Sequence, residues 1–140
     1  MPFDVQDVTY SFDSQQVVDN LSIKISSGFF YGILGPNGSG KTTFLDLLCR
    51  HKQADSGQIF YKSQELNSFS KKGLSREIAL VPQNYFINFP FTALEVVLMG
   101  RYPHMSKFAA PGEQDLQLVQ KAMESTGVAQ FKDRLISELS

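Results

Sequence analysis

The run Gly35-Pro36-Asn37-Gly38-Ser39-Gly40-Lys41-Thr42-Thr43 fits the pattern G-x-x-x-x-G-K-[ST] without a mismatch. It lies between an apolar segment, Phe29-Phe30-Tyr31-Gly32-Ile33-Leu34, and a second one, Phe44-Leu45-Asp46-Leu47-Leu48-Cys49-Arg50. The order therefore reads buried strand, glycine turn, helix, which is the context that gives the pattern mechanical meaning. A chain with this feature is expected to fold around a parallel α/β core with a phosphate-binding loop at a strand's carboxyl end.

The spacing has a chemical reason. Glycines let the backbone adopt conformations closed to other residues and approach an anion closely, so successive N–H groups converge as a concave nest. The helix expected to start near Lys41 adds unpaired first-turn N–H groups and the positive end of its dipole. Lys41 supplies a mobile point charge for terminal phosphates, and the Thr42 hydroxyl is a hard oxygen ligand suited to Mg²⁺. The occupant this predicts is a nucleoside triphosphate, ATP or a relative of it.

Bulk properties remove other classes. With 140 residues, 42% of them apolar, the chain is long enough for one sizeable core and short for two. A net charge of −1 and scattered lysines leave no basic stripe, so no nucleic-acid partner is expected. Apolar runs stay well short of the roughly 18 to 20 residues of a membrane span, and Met1-Pro2-Phe3-Asp4 shows no basic-then-apolar leader. These features predict a cytoplasmic protein. Cys49, the single cysteine, is expected as a small buried hydrophobe on the apolar face of the loop's helix, and His51 and His104 as surface residues without metal partners.

Element type shifts near residue 83. Strands are expected near Phe3–Tyr10, Ser22–Ile25, Phe29–Leu34, Gln58–Tyr61 and Ile78–Pro82, with turns at Asp13-Ser14 and Ser26-Ser27-Gly28. Beyond it, Thr92-Ala93-Leu94-Glu95 reads as a capping box opening a helix that Gly100 would close in a left-handed conformation. A second helix is predicted from Leu116, Val119, Ala122 and Met123, bounded by Pro111-Gly112 and Gly127, with one apolar stripe that must pack on something. The expected division is 1–83, a nucleotide-binding core with a β subdomain, and 84–140, a helical subdomain.

Taken in order, Val8-Thr9-Tyr10-Ser11-Phe12, Leu21-Ser22-Ile23, the Gly35–Thr43 loop, Ser56-Gly57-Gln58-Ile59, Val81-Pro82-Gln83 and Glu138-Leu139-Ser140 resemble the first part of an ATP-binding cassette (ABC) ATPase. The resemblance implies a P-loop NTPase (RecA-like) α/β core with an antiparallel β subdomain and the start of an α-helical subdomain. It implies that Phe12, with Tyr10 as the runner-up, stacks on adenine, and that Gln83 is the Q-loop glutamine. That amide would touch Mg²⁺ or the attacking water and begin the segment facing a membrane partner. The stretch Thr92 to His104 is similar to the helical subdomain of cassettes that power importers of iron chelates, haem or cobalamin. Partners implied are transmembrane permease subunits and a second ATPase copy, with the protein peripheral on the cytoplasmic face of the membrane. Tyr85, Phe86, Phe89 and Phe91 are dense for a loop, and either line a groove for a short permease helix or pack between subdomains.

The family's hydrolytic machinery also needs a strand ending in aspartate, a following glutamate base and a switch histidine. None follows here, and Glu138-Leu139-Ser140 resembles the opening of a Leu-Ser-Gly-Gly-Gln signature at which the sequence stops. The chain is thus expected to hold nucleotide with negligible turnover of its own, and to expose apolar residues around Ile33, Leu34 and Leu80. Two other classes stand beside this one. A catalytically dead nucleotide-binding module would also lack the base, whereas a small P-loop kinase is disfavoured by the 34 residues before the loop and a GTPase by the lack of an Asn-Lys-x-Asp guanine reader.

Overall fold

The computed structural model describes residues 2–83 and 89–139. Strand β1 (Phe3–Phe12) and strand β2 (Gln15–Ile25) form an antiparallel hairpin closed by Asp13-Ser14. Both turn residues have positive φ, 44° and 71°, the requirement of a two-residue turn whose twist matches the strands it joins. β3 (Ser56–Tyr61) pairs antiparallel with the other edge of β1, and the two-residue β4 (Gln64–Glu65) completes a sheet of order β2-β1-β3-β4.

A bulge in β1 sets which side chains enter the core. Strict alternation would send Val5 and Val8 to opposite faces, but a register shift lies between them and Asp7 takes φ 50°. Both valines are consequently buried, at 1% and 0% exposure. Ser22 secures the bulge: its hydroxyl accepts from the Asp7 N–H at 2.8 Å and donates to Asp7 Oδ1 at 2.8 Å. Helix α1 (Lys41–Leu48) contributes Phe44, Leu47 and Leu48 to the same cluster, which Val18, Ile59, Tyr61, Leu66 and Leu74 complete. Each such side chain stabilises the fold by roughly 1.5–3 kcal/mol on burial. A single turn, α2 (Lys71–Leu74), carries Leu74 and is capped by Ser70, whose hydroxyl accepts from the Gly73 N–H.

Two compact units, Met1–Leu80 and Val81–Ser140, are distinguished by their internal contacts. The second is built on α3 (Ala93–Met99) and α4 (Glu113–Ser125). Thr92 caps α3 as its sequence predicts: the Glu95 N–H donates to Thr92 Oγ1 and the Glu95 carboxylate accepts from the Thr92 N–H at 2.8 Å. Ala93, Val119 and Met123 are its buried centre. The Arg101 guanidinium donates to Asp115 Oδ1 at 2.9 Å, and the Gly112 N–H donates to Asp115 Oδ2 at 3.1 Å.

The Arg101 hydrogen bond first, then that from the Gly112 backbone, holds the Asp115 carboxyl below its ordinary range. A depressed carboxylate stabilises the fold above its unfolded pKa, and this contribution is lost as pH falls through the lower folded value. Stability of the second unit is therefore expected to decline on the acid side of the ordinary aspartate range, and Arg101→Ala should flatten that decline. Urea midpoints measured from neutral pH down to pH 3 check this; an unchanged acid slope in the variant would contradict it.

Four expectations are corrected. Phe29–Leu34 and Ile78–Pro82 form no strand. A parallel strand acquires its ladder only from lateral neighbours, and the sheet among the described residues contains β1 to β4 alone. Ile33 and Leu34 are accordingly exposed, at 41% and 95%, whereas Leu80 is half-buried. Gly100 is right-handed, φ −61°, because the chain does not reverse there but continues through a 3-10 turn at Tyr102–His104, where Pro103 presets a helical φ. Finally, Leu116 and Ala122 face outward, because the packed line of α4 runs through Val119 and Met123.

Candidate functional site

Site geometry starts from two glycines. Gly38 and Gly40 have φ 83° and 84°, and a Cβ on Gly40 would lie 2.7 Å from the Val17 carbonyl oxygen. Only glycine lets the loop pass this close to β2. Gly40 is the N-cap of α1, so no side chain caps the helix, and no acid occupies its first turn. Two backbone bonds hold the loop, from Ser39 N–H to Pro36 O at 3.3 Å and from Phe44 N–H to Gly40 O at 2.8 Å.

Lys41 folds back over this loop. Its ammonium donates to the carbonyl oxygens of Gly35 at 2.8 Å and Pro36 at 2.7 Å. Gly35 is tight as well, since a Cβ there would meet Ser39 Oγ at 2.6 Å. Asn37 and Ser39 are exposed on the rim, Thr42 is exposed on the first turn of α1, and Thr43 is half-buried behind it. A cleft of about 240 Å³ opens beside this junction, lined by Val17, Val18, Asp19, Gly40, Lys41 and Phe44. An ammonium, an uncapped helix start and close backbone together make a local field that favours a compact, highly charged anion.

Tyr10 and Phe12 lie two residues apart and so on one face of β1. Tyr10 packs against the core cluster, whereas Phe12, at the hairpin end, is 58% exposed. Phe12 pairs with Gln15, two residues from the Val17 that abuts Gly40. At about 3.3 Å per residue the ring's strand position is roughly 7 Å along β2 from the loop contact. The structure thus brings the loop residues and the two aromatics into one unit. Gln83 belongs to the other unit, exposed on the segment after Pro82 and not at a strand end. Of the dense aromatics, Phe89 and Phe91 pack with their rings tilted by 47° and 5.9 Å between centroids, with Phe89 68% exposed, while Tyr85 and Phe86 lie outside the described residues.

A wider cavity of about 530 Å³ opens past the other end of α1, between Cys49, Arg50, Lys71, Leu74 and Ile78. Cys49 is half-buried, and burial, then the Asp46 charge, pushes its thiol up, which disfavours the reactive thiolate. His51 is exposed with Nδ1 3.6 Å from Asp46 Oδ1, and His104 is exposed. Among the described residues no three histidine, cysteine or acidic side chains gather as a metal site, and no helix is long and apolar enough to cross a membrane.

The residue that sequence reasoning missed is Lys52. Its ammonium lies 5.3 Å from the Tyr10 ring centroid and 5.7 Å from that of Phe12. Nothing local marks it, because what brings it there is Arg50 in a left-handed conformation, φ 59°, turning the chain after α1 without a glycine.

Comparison with known proteins agrees with this geometry. The chain is 40% identical over 130 residues to the uncharacterized ABC transporter ATP-binding protein YvrA of Bacillus subtilis (strain 168), covering 92% of this chain and 29% of the relative. It is 34% identical over 140 residues to the cobalamin import ATP-binding protein BtuD of Halobacterium salinarum (strain ATCC 29341 / DSM 671 / R1), covering 100% and 35%. Among solved structures it superposes on a metal-chelate type ABC transporter in an inward-facing conformation with a TM-score of 0.80 at 27% identity, covering 99% of this chain and 50% of that one. The chain therefore spans half or less of the length of these relatives. The family model described as ABC transporter matches residues 18–140, from β2 through the loop and both helical segments, so this chain is a member of the ABC transporter family with the P-loop NTPase fold of its ATPase cassettes.

Proposed function

We propose that this chain supplies the nucleotide-binding part of an importer ATPase, in which ATP binding and hydrolysis drive uptake of a metal chelate such as an iron siderophore, haem or cobalamin. The observation that carries the proposal is the convergence of the Lys41 ammonium, the uncapped start of α1 and the Gly35–Gly40 backbone on one point. Relatives named for cobalamin import and metal-chelate transport support the solute class.

In this reading residues 1–83 form the nucleotide-binding core and 84–140 the helical subdomain. Lys41 exchanges its two carbonyl contacts for phosphate oxygens, trading hydrogen bonds in which only the donor is charged for ones in which both partners are. Gly38, Gly40 and the first turn of α1 present N–H groups to the same phosphates, with Pro36, Asn37, Ser39 and Thr43 shaping the rim. Phe12, backed by Tyr10, offers a ring face to adenine. The exposed Thr42 hydroxyl is the oxygen ligand that fits Mg²⁺, which when bound neutralises phosphate charge, and the family resemblance gives the Gln83 amide its role in answering the nucleotide. The exposed Phe89 belongs to the surface we assign to the permease, and a second ATPase copy would complete the nucleotide sandwich at the cytoplasmic face of the membrane.

Titration of the 140-residue chain with a fluorescent ATP analogue and Mg²⁺, alongside a phosphate-release assay, tests this. Saturable binding without release is expected, because the sequence holds no glutamate base after an aspartate-ended strand. Release by this chain alone would refute the division of labour, and the lack of any saturable binding would refute the site.

A further inference from the structure

We propose that Lys52 is a positioning residue of the base site, holding the Tyr10 and Phe12 rings in place for a stacked nucleobase. This rests on reading Phe12 as the base-stacking ring.

An exposed phenylalanine at a hairpin end is free to swing between rotamers, and stacking on it must first overcome that freedom. Tyr10 has no such freedom, since it packs against the core. Lys52 bridges the two: its ammonium donates to the Tyr10 hydroxyl at 3.3 Å and stands within cation–π range of both rings.

The base of the lysine is fixed too. Its N–H donates to the Asp46 carbonyl at the end of α1, at 3.2 Å. Three residues on, the Asp55 N–H donates to Thr9 O at 2.9 Å and Asp55 Oδ2 accepts from the Ser11 N–H at 2.7 Å, so the 50–55 loop grips β1 on both sides of Tyr10. A cation touching both rings of an i, i+2 pair sits on the side they share, and Phe12 at 58% exposure keeps a face open for a base. The ammonium therefore braces both rings while Phe12 stays accessible to a base.

The test compares affinities for Mg-ATP and for inorganic tripolyphosphate, which has the phosphate chemistry without the base. Their ratio cancels the general effect of removing one positive charge. Lys52→Met is expected to lower the ATP-to-tripolyphosphate ratio about two- to fivefold, the range of an exposed cation–π contact, and Lys52→Arg to preserve it. Phe12→Ala should lower the ratio at least as far. If Phe12→Ala lowers it while Lys52→Met leaves it unchanged or raises it, the base site stands and the role of Lys52 is overturned. If Phe12→Ala also changes nothing, the base site itself fails and this inference falls with it.

Discussion

Lys41→Ala is expected to cut the affinity of the chain for Mg-ATP by about a hundredfold or more and, in an intact cassette, to abolish hydrolysis. The ammonium folds onto the loop, reaching Gly35 O at 2.8 Å and Pro36 O at 2.7 Å. Its removal leaves the loop carbonyls facing a polyanion with nothing between them. The same change should barely disturb folding. Both carbonyls are solvent-accessible, and a hydrogen bond contributes about 0.5–1.5 kcal/mol net even where water does not replace it. The checks are isothermal titration with Mg-ATP and, beside it, the unfolding midpoint. Undiminished affinity in a folded Lys41→Ala protein would remove the electrostatic basis of the proposed site.

Gly57→Ala is expected to destabilise the first unit severely, by about 2–5 kcal/mol, whereas Gly28→Ala should cost about 1 kcal/mol. The pair separates two effects usually confounded. Both glycines have φ +82°, in the region alanine disfavours, so both substitutions incur a backbone cost. They differ in space. A Cβ on Gly28 meets nothing within 4 Å, whereas one on Gly57 would lie 2.4 Å from the Asp7 carbonyl oxygen and 2.5 Å from that of Gln6. Those atoms belong to the bulge that turns Val5 and Val8 inward, so relief of the clash must move the register of β1 on β3. Against a total stability of roughly 5–15 kcal/mol for a typical domain, a loss of this size is decisive. Thermal or urea unfolding followed by circular dichroism reads both variants, and equal losses would mean that the clash relaxes at no cost.

Legibility from sequence followed the range of the interactions involved. The capping box at Thr92 and the Asp13-Ser14 turn are readable because partners three residues apart or fewer decide them, whereas the strand from Gln15 to Leu21 that makes the turn a hairpin is not. Gly38 and Gly40 were readable because the loop's chemistry dictates their conformation. Phe29–Leu34 has the composition of a buried strand, but strand formation depends on neighbours distant along the chain, and composition carries no information on whether these are present. The bulge at Asp7 and the left-handed Arg50 gave no sign, since neither uses the residue that usually permits a positive φ. Lys52 was invisible for the same reason: a surface-type residue acquired its place through a turn that local preference disfavours.

The stretch from Phe29 to Leu34 bears on how the protein behaves in a crowded solution. Phe30 at 100% exposure and Leu34 at 95% stand in water on a backbone with no ladder partner among the described residues. In the 140-residue chain taken by itself, such a segment offers apolar side chains and unpaired backbone to a second copy. Self-association of the 140-residue chain on its own is then expected to rise with its concentration, and a lysine introduced at Phe30 would act as a gatekeeper without touching the loop that follows.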